Sequence, residues 1–298
     1  MTNVADSVRA RLMNLFRASG VDLPTLMERF AIGRLLWRLG ESDAGRRFVL
    51  KGAQLFSVWQ ESPHRPTRDL DLLSFGDSSV DGMKQFFDEL LKKPAYPEDG
   101  LQWGEVKASL IRADQEYEGV RINVKAVLAK AIVPVQIDIG FGDAITPAPV
   151  ELAWRELLDF PSARLLTYPP ETVIAEKLNA AKELGIGNSR MKDFFDLDWL
   201  CRHMEFDLAT LHRALKATFA NRGSEWPEET PLALTQAFAE DTGKLSQWSA
   251  FLRKNQLTAD PLPVIIARLH GFLHPVLFSN GENSAMKWSP VAGWHTPS

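Results

Sequence analysis

The chain has 298 residues, 45% hydrophobic and 24% charged, with 19 glycines and 18 prolines. These proportions exclude wholesale disorder, a collagen-like fibre and a disulfide scaffold. The single cysteine, Cys201, leaves no internal disulfide and no Cys-x-x-Cys zinc or redox site. Arg9, Arg11, Arg17 and Asp6 interrupt the first twenty residues, and Arg268, His270 and His274 interrupt the most apolar late stretch. Neither a secretory leader nor a bilayer span is expected, so the reading is a soluble cytoplasmic protein with no membrane partner. Net charge is −4, unevenly spread: residues 1–51 hold nine Lys/Arg against five acids, and the remainder is −8. A basic segment on an acidic body suits a polyanion, with a salt-bridged helical face as the alternative.

In chain order, helical spacing runs over 4–18 and 24–39, with Pro24 suited to a first helical turn. Phe48-Val49-Leu50 reads as a short buried strand that runs through Lys51-Gly52-Ala53 into an apolar helical patch. After a polar loop, 61–68, the stretch Asp69-Leu70-Asp71-Leu72-Leu73 alternates with period two. A helix is expected at about 80–92, then strands at 105–112, 119–128 and 133–140. From Pro169 the pattern is helical: 170–185, 191–203, 207–221, 231–240, 242–255 and 261–278. Prolines 147, 149, 161, 169 and 170 mark a boundary near 150–168. Mixed elements followed by helices predict an α+β fold with a helical C-terminal part.

Residues i and i+2 of a strand share a face, so Asp69 and Asp71 project together while Leu70 and Leu72 face the core. Carboxylates that close repel unless they share a cation, and a hard divalent ion with phosphate ligands suits them. Asp138, between Ile137 and Ile139, repeats the device on another strand. Three such acids are what two-metal phosphoryl or nucleotidyl transfer needs. A D-x-D alone is common on solvent-facing strands; the turn before it adds weight. Gly52, after a strand and opening a helix, lets backbone N–H groups approach a triphosphate.

The ordered set of Lys51-Gly52-Ala53, then Arg65-Pro-Thr67-Arg68-Asp69-Leu-Asp71, then Asp138 resembles the polymerase β-like nucleotidyltransferase superfamily. The long glycine-to-aspartate gap and the run RPTRDLDLL are similar to the AbiEii/AbiGii toxin family. The pair AEKL and SRMKDFFDLDWL, holding Lys177, Arg190, Lys192, Asp193 and Asp196, resembles that family's lysine and later aspartate motifs.

The resemblance implies a nucleotidyltransferase core with a mixed sheet flanked by helices at 48–165. It implies a basic helical extension at 1–47 and a helical domain at 166–298 that contributes Lys177 and Asp193. Asp69 and Asp71, with Asp138, would hold two Mg²⁺ ions; Lys177 would neutralise phosphate charge, and Asp193, or Asp196 three positions on, would complete the site. Lys51, Gly52, Ala53, Thr67 and Arg68 would meet the nucleotide. Ala53 replaces a common serine, so backbone amides, Lys51 or Thr67 take a larger share. Arg34, Arg38, Arg46, Arg47, Arg190 and Lys192 would track RNA. The implied activity is type IV toxin action: NMP transfer from an NTP to RNA, at a tRNA 3′ end, restrained by an antitoxin. Two rivals stay open: transfer to a small molecule or protein, and a non-catalytic nucleotide-binding protein on the same scaffold. His270 and His274, the Gly185–Gly187 turn, buried Cys201, and Trp288 and Trp294 read as packing or capping.

Overall fold

The computed structural model describes residues 3–60, 64–67, 69–111, 119–279 and 284–297. Arg68 and part of the 61–68 loop therefore lie outside the described residues. The chain forms two units: Met1–Gly142 with Val150–Thr167, and Asp143–Pro149 with Tyr168–Ser298.

The first unit opens with helices α1 (Val4–Ser19) and α2 (Leu23–Gly40). Asn3 and Asp22 cap their free N–H groups, accepting from the backbone N–H of Ala5 and Thr25. Strand β1 (Phe48–Lys51) leads through a 3₁₀ turn into the short α3 (Phe56–Trp59), and β2 (Asp69–Ser74) follows. Helix α4 (Val80–Lys92) is capped by Ser79. Then come β3 (Leu101–Trp103), β4 (Lys107–Ile111), β5 (Gly119–Leu128), β6 (Ala131–Phe141), β7 (Val150–Ala153) and β8 (Arg164–Thr167).

Among the described residues these strands build one mixed sheet in the order β3-β5-β6-β2-β1-β8-β7, with β4 also on β5. β2 runs parallel to β6 and β1 parallel to β8; the other pairs are antiparallel. Period-two alternation gives the sheet two unlike faces. Leu70, Leu72, Ile122, Ile137 and Ile139 are buried, while their neighbours Asp69, Arg121, Asn123, Gln136 and Asp138 are not. Helices α1, α2 and α4 pack on these strands. Each buried Leu or Ile contributes about 1.5–3 kcal/mol.

The second unit holds α5 (Pro170–Leu184), α6 (Met191–His203), β9 (Phe206–Asp207), α7 (Leu208–Asn221), α8 (Gln236–Glu240), α9 (Thr242–Asn255) and α10 (Leu262–Phe278). It ends in β10 (Lys287–Ser289) and β11 (Gly293–His295), which form a small sheet with β9. Trp288 and Trp294 donate to the carbonyls of Cys201 and Phe272 and pack on the Phe272 ring. Their indoles are packing groups, as expected. Burial pushes the Cys201 thiol up to about 12, with Asp198 adding to the effect, so it is no nucleophile. No helix among the described residues is long and apolar enough to cross a membrane.

The expected α+β class with a mixed, helix-flanked sheet is what the chain forms. The stretch 150–168, where prolines predict a boundary, carries two strands that the sequence reading did not list, β7 and β8, paired antiparallel. The N-terminal arginines bring a correction. Arg34 is fully buried, and its guanidinium meets Glu156 at 3.3 Å, Asp99 at 3.5 Å and the Pro161 carbonyl at 2.9 Å. Arg38 is buried too and donates to Asp99 at 2.7 Å. Both tie α2 to distant chain and are withheld from any RNA surface. A buried ion is kept only by partners this close, because desolving it costs several kcal/mol.

Burial raises the Glu156 carboxyl to about 7 against the pull of Arg34, with Asp99 adding to the rise. A carboxyl whose folded pKa exceeds its unfolded value of about 4.5 binds its proton more tightly when folded, so its contribution is fully present below about pH 4.5. It is lost as the pH climbs through about 7, a difference of about 3 kcal/mol. Urea unfolding of wild type and Glu156→Gln across pH 4.5–8 should show wild type losing stability relative to the variant by roughly that amount.

Candidate active site

Parallel pairing sets Asp71 of β2 beside Asp138 of β6, and Asp69 beside Gln136. Antiparallel pairing then sets Arg121 of β5 opposite Asp138, and Lys51 of β1 opposite Asp71. Cross-strand partners share a face. One row therefore crosses four strands as Arg121, Asp138, Asp71, Lys51, with two acids between two cations. The register thus puts residue 138 on the same sheet face as 69 and 71, as a three-acid site requires.

Arg121 grips Asp138 with both arms, Nε to Oδ1 at 2.8 Å and Nη2 to Oδ2 at 2.7 Å. The Gln136 amide donates to Asp69 Oδ1 at 2.9 Å and lies 3.4 Å from each Asp138 oxygen. The bond to Asp138 holds the Arg121 guanidinium above its ordinary pKa; burial opposes this, and the charges of Asp138, Asp69 and Asp71 reinforce it. One arginine thus senses all three acids.

Gly52 closes β1 with φ +70°, and a Cβ added there would fall inside the Asp71 carboxylate. Only glycine gives both the left-handed turn and this close approach. Ala53 is buried, and Lys51 and Thr67 are half-buried. Arg68 lies outside the described residues.

Among the described residues no three His, Cys, Asp or Glu side chains converge to enclose an ion. The donor set nevertheless fits Mg²⁺: hard carboxylate oxygens on one face, beside a glycine cradle. Mg²⁺ is ordinarily held by one or two carboxylates plus substrate phosphates and water, not by an all-protein cage.

The second unit has its own cluster. Helix α6 places Asp193 and Asp196 three residues apart, and α5, packed against it, presents Lys177. The Lys177 ammonium donates to Asp193 at 2.7 Å and to Asp196 at 2.8 Å; Arg190 donates to Asp193 at 2.6 Å. Both aspartates are buried. Burial works against charge on Lys177, but Asp196 and Asp193 override it and hold its pKa above the ordinary value. Burial likewise works against charge on Asp193, and Lys177 and Arg190 override it and hold that carboxyl low. The sequence left Asp193 and Asp196 as alternatives; both bind Lys177.

Of the remaining expected residues, Arg46, Arg190 and Lys192 are exposed. Arg47 is half-buried, its guanidinium 5.8 Å from the Phe48 ring centre and 5.7 Å from that of Phe86. The His270 and His274 rings lie 4.8 Å apart on α10, tilted by 31°. Arg121 and Gln136 were missed. Alternation marked both as solvent-facing, but only strand register shows what they face.

The family model for "Nucleotidyl transferase AbiEii toxin, Type IV TA system" matches residues 34–268. No curated protein matches the chain. Among solved structures, a Helicobacter pylori protein provisionally described as a nucleotidyltransferase is 17% identical, with 86% of this chain and 96% of that chain covered at a TM-score of 0.51. JHP933 from Helicobacter pylori is 18% identical over 82% and 88% of the two chains, with a TM-score of 0.48. The first of these likenesses is one of fold.

Gly52→Ala should destabilise the protein by about 1–2 kcal/mol in urea unfolding, from the left-handed backbone alone, and should displace Asp71 in a crystal structure. Lys177→Met removes the cation shared by two buried carboxylates. It should cost about 3–5 kcal/mol in the same measurement, so an inactive Lys177 variant must first be shown to be folded.

Proposed function

Because the chain belongs to the AbiEii family of nucleotidyl transferase toxins of type IV toxin–antitoxin systems, we propose that it transfers an NMP from an NTP to RNA, at a tRNA 3′ end, with Mg²⁺ held at Asp69, Asp71 and Asp138. The chain is a nucleotidyltransferase; acceptor, metal and residue roles are the proposal. The in-register pairing of Asp71 with Asp138, and Asp69 two residues away on the same face, carries it.

Magnesium, when bound, supplies Lewis acidity and charge neutralisation at the phosphates. The chain's residues do the rest. Asp69 and Asp71 offer oxygens from one strand face, and Gln136 keeps Asp69 from turning away by donating to Oδ1. Gly52 keeps the space beside Asp71 open and, with Ala53, presents backbone amides to phosphate oxygens. Ala53 has no hydroxyl, so the side-chain share of phosphate binding at that turn falls to Lys51. Lys177 serves as a fixed positive charge. Its raised pKa rules out a role as general base at neutral pH. Arg46, Arg190 and Lys192 are exposed and suit the RNA backbone. A cognate antitoxin is the protein partner the family implies.

Incubation with each labelled NTP and total RNA, total protein or small hydroxylated acceptors reads the acceptor class directly. Label should enter tRNA. Asp69→Asn and Asp71→Asn should lower transfer by about 100- to 1,000-fold, several kcal/mol of lost transition-state stabilisation, and should relieve growth arrest on induced expression. Label appearing in protein or small acceptors, or transfer undiminished in both variants, overturns the reading.

A further inference from the structure

We propose that Arg121 is a positioning residue: it fixes the Asp138 carboxylate as a metal-binding group beside Asp71, acting through Asp138 and not on the nucleotide. The proposal rests on the three-acid reading of the site.

A lone Asp138 has two side-chain torsions and a like-charged neighbour in register on the next strand. Repulsion favours any rotamer that carries its oxygens away from Asp71. The guanidinium removes that freedom by taking one lone pair on each oxygen, at 2.8 and 2.7 Å. A carboxylate has about four such sites; the Gln136 amide reaches both oxygens only weakly, at 3.4 Å, so Arg121 is the strong holder and acceptor capacity is left for a cation. The fork is planar and pre-organised, which a lysine at this place would not be. Its partner set is also specific. Arg121 is 40% exposed and Asp138 18%, so the pair sits at the solvent-facing side of the sheet, where an ordinary ion pair is worth about 0–1 kcal/mol. Stability therefore gives little reason for a two-armed clamp here.

Two effects oppose each other when Arg121 is removed. Losing a positive charge near the site would draw a cation in, but that charge is partly exposed and screened by salt. Losing the clamp frees Asp138, and removal of such outer partners typically weakens metal binding by about 10- to 100-fold. The second effect is the larger.

The test uses full-length protein and Mn²⁺ alone as the probe, followed by electron paramagnetic resonance or calorimetry. Arg121→Gln should weaken Mn²⁺ binding by about 10-fold or more, with its unfolding free energy within about 1 kcal/mol of wild type. Arg121→Lys should recover part of the affinity through charge without the fork. Asp138→Asn and the double variant Arg121→Gln/Asp138→Asn should bind Mn²⁺ equally, because nothing is left for Arg121 to hold. Affinity in Arg121→Gln equal to or tighter than wild type, or additive losses in the double variant, overturns the proposal. Failure of the wider reading looks different: wild type would bind Mn²⁺ with this same pattern of variants yet label no RNA.

Discussion

Parallel pairing of β2 with β6 is the constraint on which the candidate site depends. A slip of one residue would turn every side chain of a strand to the opposite face. Leu70 and Leu72 on β2 and Ile137 and Ile139 on β6 forbid it, since all four are buried in the native register. At about 1.5–3 kcal/mol each, the four together outweigh the repulsion between Asp71 and Asp138, about 3 kcal/mol for two unit charges some 5 Å apart at a surface-like dielectric. The core thus holds together an arrangement of acids that would not assemble by itself. The chemistry rides on one face of the sheet and its cost is borne by the other.

The two units solve the problem of charge in opposite ways. In the first, strand register sets Asp69, Asp71 and Asp138 on the sheet face that also carries Arg121 and Lys51, and none of the three acids is fully buried. In the second, Lys177 and Arg190 balance Asp193 and Asp196, and the two aspartates are buried. A hydrogen-bonded cluster built on buried carboxylates loses heavily when one member is removed. The first arrangement is suited to receiving ions and phosphates, the second to fixing one ammonium in place and keeping it charged.

Much of this was legible in the sequence, and the parts that were not share a cause. Long amphipathic helices declare themselves through local periodicity: 191–203 and 242–255 have the same limits in sequence and structure. The D-x-D strand and the 119–128 and 133–140 strands were legible through alternation. Strands β7 and β8, four residues each, are too short for periodicity and lie among prolines. β8 is stabilised by pairing with β1, a contact over a hundred residues distant that no local window contains. Arg121 was nearer to reach. β5 and β6 are joined so tightly that Leu128 pairs with Ala131, and counting outward from that turn puts Arg121 opposite Asp138. The signal was in the hairpin length, not in the residue.

The N-terminal charge excess shows why counting charges is weaker evidence than locating their partners. Of the nine basic residues in 1–51, Arg38 and Arg34 are buried inside the unit and bound to Asp99 and Glu156, acids 61 and 122 positions away from the arginines that bind them. Arg11 is bridged at the surface to Asp159 at 2.9 Å. These acids belong to the segment counted as the acidic body, so the apparent dipole between basic arm and acidic remainder is partly an internal salt-bridge network cut at an arbitrary point in the chain. The field a polyanion would meet at the N-terminal segment is smaller than +4 by those pairs. On the proposed reading a polyanion is met by exposed cations such as Arg46, and not by an N-terminal arm acting as a block of nine charges.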